Sequence, residues 1–231
     1  MTPLILLPGM MCDARLFRPQ IEGMSQRHPL MTMPIGGYDR MELLARAVIA
    51  QAPPRFALAG LSMGGILAME ILRQVPERVA GMALMDTNPL AERPEVKERR
   101  APQIAAAEAG NLHRVMRDEM KPNYLTDGPN RTAILDLCMA MAMDLGPGVF
   151  INQSKALRDR TDQTKTLRAF NGAALVLCGK DDALCPVERH ELMHGLMPQS
   201  ELVIIEGAGH LPTLEQPEKT TAALSRWLEQ V

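Results

Sequence analysis

Aromatic residues are scarce in this chain. Four Phe, two Tyr and one Trp are all that 231 residues contain, so 18 soft, flexible methionines must supply much of the core. An excess of basic residues is missing too. The net charge is −2, which disfavours nucleic acid as a partner. The four cysteines (Cys12, Cys138, Cys178, Cys185) form no CxxC pair, and they predict reduced, mostly buried thiols in a cytoplasmic protein. No apolar run approaches the ~20 residues of a membrane span. The start, Met1-Thr2-Pro3-Leu4, lacks the basic n-region of a secretion signal. Internal repeats and low-complexity segments are absent as well. What remains is ordinary globular composition, 46% hydrophobic and 23% charged, in a length that suits one core carrying an insertion.

Short apolar runs punctuate the chain at Leu4–Leu7, Leu30–Pro34, Phe56–Leu61, Val79–Met85, Ala173–Cys178 and Leu202–Ile205. Helical patterns lie between most of them, at Met41–Gln51, Met63–Gln74, Val187–Met197 and Pro217–Gln230. Strands alternating with helices predict an α/β fold with an open, mostly parallel, doubly wound sheet. The alternation fails between Thr87 and Phe170. There the patterns are helical only, roughly Pro94–Ala109, Leu112–Met120, Arg131–Leu145 and Val149–Arg160. The expected organisation is a core of residues 1–86 and 171–231 with a helical cap inserted at 87–170.

Gly60-Leu61-Ser62-Met63-Gly64 sits where a predicted strand passes into a predicted helix. A serine on such a turn has its hydroxyl thrust above the sheet, and glycines two residues to either side let the backbone pack closely. The following helix start offers unpaired N–H groups and a positive dipole end to a developing negative charge. A serine hydroxyl needs a general base, and the base needs an orienting acid. On a parallel sheet such groups gather beyond the carboxyl ends of the strands. His210 follows the last strand in Glu206-Gly207-Ala208-Gly209-His210 and is the predicted base. His28 precedes a strand, His113 lies in the insertion, and His190 and His194 lie within a helix. The acid falls among Asp181 and Asp182, after the strand ending at Cys178.

These residues resemble the α/β-hydrolases, and the resemblance covers nearly the whole chain. Small lid-bearing members commonly carry the acid in a Gly-x-x-Asp-x-x-x-Pro segment, which falls on Gly179, Asp182 and Pro186. The resemblance therefore implies Asp182 as the acid, leaves Asp181 as a surface or capping carboxylate, and offers Asp86, after the strand ending at Met85, as a rarer alternative. Leu6-Leu7-Pro8-Gly9-Met10-Met11 is similar to the family's first loop, with Pro8 where a His is usual. It implies an oxyanion hole formed by the backbone N–H groups of Met10 and Met63. Gly207 to Pro212 matches the family's Gly-x-Gly-His segment. Gln153, Ala156, Arg158 and Asp162 resemble enol-lactonase-like members. The family usually begins with an antiparallel hairpin, whereas here the first strand is immediate, so a trimmed sheet of six parallel strands is expected.

His190-Glu191-Leu192-Met193-His194 also reads as His-Glu-x-x-His, a zinc-peptidase spacing with Glu215 or Glu218 as third ligand. That helix already has a place after the acid loop, so a solvated helix face is expected, with no metal and no cofactor. The implied activity is ester hydrolysis, with lactones and thioesters in scope, through an acyl-enzyme. Carbon–carbon bond hydrolysis on the same triad and a non-catalytic binding protein are the alternatives. The expected partner is a small acyl compound, partly apolar, and neither nucleic acid nor membrane. Met10, Met11 and Met63 suggest an apolar wall beside the serine. Met116, Met120, Met139, Met141 and Met143 either line the pocket or pack the cap helices together. Residues 87–170 hold 13 basic against 11 acidic residues, too even a balance to demand an anionic substrate.

Overall fold

The computed structural model describes residues 1–231. Six strands form one sheet: β1 (Leu4–Leu7), β2 (Leu30–Thr32), β3 (Phe56–Leu61), β4 (Val79–Met85), β5 (Ala173–Gly179) and β6 (Glu201–Ile205). Their order is β2-β1-β3-β4-β5-β6 and every pairing is parallel. The chain winds outward in opposite directions from β1 and β3, so the crevice at their carboxyl ends is the place where such sheets bind ligands.

The inner strands β1, β3, β4 and β5 are apolar throughout because both of their faces are covered, whereas the outer β2 and β6 carry Thr32 and Glu201 and are partly exposed. Side-chain alternation divides them. Ile5, Leu7, Phe56 and Leu58 join one buried cluster, and Leu4, Leu6, Ala57, Ala59 and Leu61 join another. The first cluster is closed by α2 (Met41–Gln51), α3 (Met63–Gln74) and α8 (Val187–Leu196). In α2 the buried positions Met41, Leu44, Ala45 and Val48 recur at helical spacing. The second cluster is closed by α1 (Arg18–Met24) and α9 (Pro217–Leu228), whose Trp227 is buried and donates its Nε1–H to the Ala173 carbonyl at 3.2 Å. Each such fully buried aliphatic or Phe side chain contributes ~1.5–3 kcal/mol relative to exposure.

Two core helices lack a clear sequence pattern. Helix α1 buries only Gln20 and Met24, and α7 (Thr164–Arg168) buries only Leu167. Neither presents an apolar stripe. The 3₁₀ turn Ala14–Phe17 that leads into α1 is capped by Asp13, which accepts from the Arg15 N–H at 2.9 Å.

Between β4 and β5 the chain is helical: α4 (Pro94–Glu108), α5 (Leu112–Arg114, continuing as a π-helical stretch through Met120) and α6 (Arg131–Arg158). By length and composition α6 could cross a membrane. Its backbone, however, breaks at Gly146 (φ 78°, ψ 175°), ahead of Pro147, into the two helices that the sequence predicts. Neither half reaches the ~20 residues of a span. Helix α7 packs against α3 and α8 rather than against this helical group. The first and last residues of the insertion meet: Gln163 donates its N–H to the Pro89 carbonyl at 2.8 Å, and Arg160 Nε donates to the Leu90 carbonyl at 3.0 Å.

A Cβ at residue 146 would meet nothing within 4 Å, so the only demand on Gly146 is its left-handed φ. Gly146→Ala should therefore lower stability by ~1–2 kcal/mol through backbone strain alone, read as a lower urea midpoint at unchanged slope. An unchanged midpoint would mean that the break is relaxed by other means.

Candidate active site

Ser62 lies between the end of β3 and the start of α3 with φ 55° and ψ −115°. A side chain pays for that conformation in strain, and three contacts hold it. The Ser62 N–H donates to the Met85 carbonyl at 2.9 Å, which ties the turn to β4. Thr87 Oγ1 donates to the Ser62 carbonyl at 2.7 Å. The Thr87 N–H in turn donates to His190 Nε2 at 3.1 Å. The flanking glycines are a steric necessity. A Cβ on Gly60 would run into the Gly64 carbonyl, and one on Gly64 would run into the Leu7 carbonyl.

His210, on the turn after β6, reaches back to this serine. Its Nε2 is 2.9 Å from Ser62 Oγ and its Nδ1 is 2.8 Å from Asp182 Oδ2. The Asp182 Oδ1 accepts from the N–H groups of Leu184 (2.8 Å) and Cys185 (3.0 Å). Burial raises the Asp182 carboxyl. The His210 charge and hydrogen bond and those two N–H groups outweigh it and bring the carboxyl down to about 2. The His210 backbone is pinned by its N–H to the Tyr124 carbonyl at 2.7 Å, a contact from the helical insertion. Asp181 is exposed and makes no contact with His210.

Asp86, the other sequence candidate, does not touch His210. It is buried, with φ 45°, and its Oδ1 accepts from the Gly179 N–H at 2.9 Å. Its Oδ2 is buried without a donor and faces the Asp182 carboxylate. Burial first, then the Asp182 charge, push its carboxyl well above the ordinary range. A protonated Asp86 would donate to Asp182 and satisfy that oxygen.

The Met10 N–H makes no hydrogen bond within the chain, and Met63 opens α3, where N–H groups have no intrahelical acceptor. Gly9 brings the first loop against the serine: a Cβ there would lie 3.6 Å from Ser62 Cβ. The loop is fixed from the insertion by Gln153, which accepts from the Met11 N–H at 2.8 Å and donates to the Ile35 carbonyl at 3.2 Å. That tie is invisible to sequence periodicity. Its only trace is a buried glutamine in an apolar helix stretch.

A cavity of about 550 Å³ opens in front of Ser62 and His210, within the size range of small-molecule sites. Part of its lining is apolar, with Leu61 and Ile66 beside the serine, but the methionines expected there are mostly elsewhere. Of Met10, Met11 and Met63 only Met10 lines it, and of the five insertion methionines only Met120 does. Met116 and Met141 are buried in packing. Five arginines line the cavity.

His190 departs from expectation as well. It is fully buried rather than solvated, and burial pushes its imidazole down to about 4. Its Nδ1 faces the Pro186 carbonyl and its Nε2 accepts from Thr87, while His194 Nδ1 pairs with Ser200 Oγ at 2.8 Å. Those nitrogens are committed to the fold. Asp182, Cys185 and His210 do bring ligand atoms within 4.8 Å of one another. As a donor set for a cation they fit poorly. Asp182 and His210 are bonded to each other, and burial pushes the Cys185 thiol well up, away from the thiolate that a metal requires.

An open parallel sheet with this strand-turn-helix at its crevice defines a hydrolase architecture, and the family model agrees. The chain belongs to the alpha/beta hydrolase family, whose model matches residues 7–224. It is similar to a malate-bound thermophilic esterase from Thermogutta terrifontis, with a TM-score of 0.90 and 28% identity over 99% of this chain and 90% of that one. The enol-lactonase of Burkholderia xenovorans LB400 shares the fold with a TM-score of 0.87 at 18% identity, covering 99% and 91% of the two chains. Among curated proteins, the pimeloyl-[acyl-carrier protein] methyl ester esterase of Klebsiella pneumoniae (strain 342) is 27% identical, over 93% of this chain and 88% of that protein. The biotin biosynthesis bifunctional protein BioHC of Cellvibrio japonicus (strain Ueda107) is 24% identical over 98% of this chain. The chain spans about half the length of that bifunctional relative, 47%.

A carboxyl held high by burial keeps its proton to higher pH in the folded chain than in the unfolded one. The stability tied to Asp86 is therefore fully present below the ordinary Asp value of ~3.9 and is lost as pH rises toward the folded value. Asp86→Asn mimics the protonated acid. Between pH 5 and pH 8 the wild type should lose at least ~1.4 kcal/mol relative to Asp86→Asn, followed by denaturant melts. Parallel pH profiles for the two proteins would show that Asp86 is ionised.

Proposed function

We propose that this chain is a serine hydrolase of carboxylic esters, with lactones and thioesters within its chemical reach. The observation that carries the proposal is the unbroken line of hydrogen bonds from Ser62 Oγ through His210 to Asp182, at 2.9 and 2.8 Å, at the floor of the cavity. In this reading Ser62 Oγ attacks the carbonyl carbon while His210 Nε2 takes its proton. Asp182, ionised down to about 2, holds the imidazole through Nδ1 and stabilises its charged form. The tetrahedral oxyanion is received by the N–H groups of Met10 and Met63. Losing one such donor typically costs ~2.7–4 kcal/mol of transition-state stabilisation. His210 then gives its proton to the leaving alcohol, and the same imidazole activates water against the acyl-enzyme.

The helices of residues 87–170 serve as the cap in this scheme. Val96, Tyr124 and Leu157 of the insertion line the cavity together with Ser62 and His210 of the core, so a substrate is enclosed from both sides. The substrate is a small acyl compound with an apolar portion against Met10, Leu61 and Ile66. The names of the relatives, methyl ester esterase and enol-lactonase among them, support ester and lactone bonds as the bonds cleaved. Four free cysteines fit a cytoplasmic setting.

Ser62→Ala should abolish turnover of p-nitrophenyl acetate, by 10³-fold or more on the order seen for triad removal, with an unfolding midpoint close to wild type. Near-wild-type activity in that variant would overturn the assignment of the nucleophile. A wild-type burst stoichiometric with enzyme would mark the acyl-enzyme.

A further inference from the structure

Two buried arginines in the cavity share a single carboxylate. Arg100 and Arg160 are each 8% exposed, and Glu92 is 9% exposed. Arg100 Nε donates to Glu92 Oε2 at 3.0 Å, with a second contact from Arg100 Nη2, and Arg160 Nη1 lies 2.9 Å from the same oxygen. Arg160 Nε is spent on the Leu90 carbonyl. Arg100 Nη1 and Arg160 Nη2 have no partner in the chain, and all three side chains line the cavity that holds Ser62 and His210. Two guanidiniums against one carboxylate leave one positive charge uncompensated on the wall of the cavity, largely buried, where an anion would answer it. Burial and the neighbouring Arg100 charge, though opposed by Glu92, depress the Arg160 guanidinium.

The rest of the lining deepens the imbalance. Arg93, Arg99 and Arg189 also face the cavity and none has a carboxylate within ion-pair distance, while Glu119, the other acid there, is paired with Arg114. The excess is local and positive. It is also shaped for a carboxylate: a planar guanidinium fork matches two oxygens, and Glu92 already occupies one side of the pair.

We propose that Arg100 and Arg160, held by Glu92, form a subsite for a free carboxylate, so that the preferred ester bears a carboxylate at its far end. The charge of one matches a monoanion. Resting on the hydrolase reading above, this inference narrows the substrate class to half-esters of dicarboxylic acids, or to esters whose alcohol portion carries the acid. Hydrolysis consumes one water, breaks the acyl C–O bond, and leaves the remote carboxylate untouched.

The test compares monomethyl esters of four- to eight-carbon dicarboxylic acids with the matching dimethyl esters by pH-stat. Acetate esters of hydroxy acids form a second arm that places the carboxylate on the alcohol side. One arm should show kcat/KM at least ~10-fold higher for the anionic ester than for its neutral methyl ester, the scale of one charge-assisted pair. In Arg100→Gln that ratio should fall toward one, chiefly through KM. The unaltered chain gives an independent reading: a free dicarboxylate should inhibit p-nitrophenyl acetate hydrolysis competitively, and its diamide should not. Hydrolysis of p-nitrophenyl acetate without any anionic preference or dicarboxylate inhibition would overturn the subsite alone. No hydrolysis of any ester would overturn the hydrolase reading itself.

Discussion

The left-handed turn at Ser62 is the constraint around which the rest of the molecule is arranged. No other residue in the cavity must hold a conformation so unfavourable and still aim a hydroxyl at a neighbour 2.9 Å away. The strain is contained because β3 and β4 both grip the turn, the first by continuity and the second through the Met85 carbonyl and Thr87 Oγ1. His190 completes the brace from α8. A histidine in a metal-like pattern thus turns out to hold backbone. Its depressed basicity keeps Nε2 free to accept from Thr87 across the neutral range.

Charge in this interior is arranged by pairing rather than by avoidance. His210 and two backbone N–H groups hold the Asp182 carboxyl low against its own burial, while burial first and then the Asp182 charge hold the Asp86 carboxyl high. Two carboxyls side by side cannot both ionise cheaply, so their environments push them apart. The same logic runs with opposite sign on the cavity wall, where Glu92 compensates only half of the charge of Arg100 and Arg160.

Much of this was legible in the sequence, and the limits are physical. Strands β1, β3, β4 and β5 are buried on both faces and declare themselves as apolar runs, and α2 and α3 declare themselves by periodicity. Ser62 and His210 could be singled out because each follows the carboxyl end of a strand, a relation that chain order preserves, while the choice of Asp182 over its neighbour Asp181 needed the resemblance to the hydrolase segment. Helices α1 and α7 escaped because two buried residues, or one, make no stripe. The arginine pair escaped for a different reason. Residues 92, 100 and 160 are joined only by folding, and a count of 13 basic against 11 acidic residues averages their local excess away. Gln153 and His190 were visible as residues, but their jobs depend on which backbone groups face them.

The bond between Gln163 and the Pro89 carbonyl gives the helical insertion a narrow neck, with both of its ends leaving the sheet at one place. The length held beyond the neck adds little to the cost of closing it, since loop-closure entropy grows only slowly with the number of residues inside. Glu92, Arg100 and Arg160 all lie within the neck, so an exchanged insertion would carry its own charge balance with it. It would also have to replace the Tyr124 carbonyl that pins His210 and the Gln153 side chain that fixes the Met11 loop, so what the molecule accepts and how it is held in place are tied together.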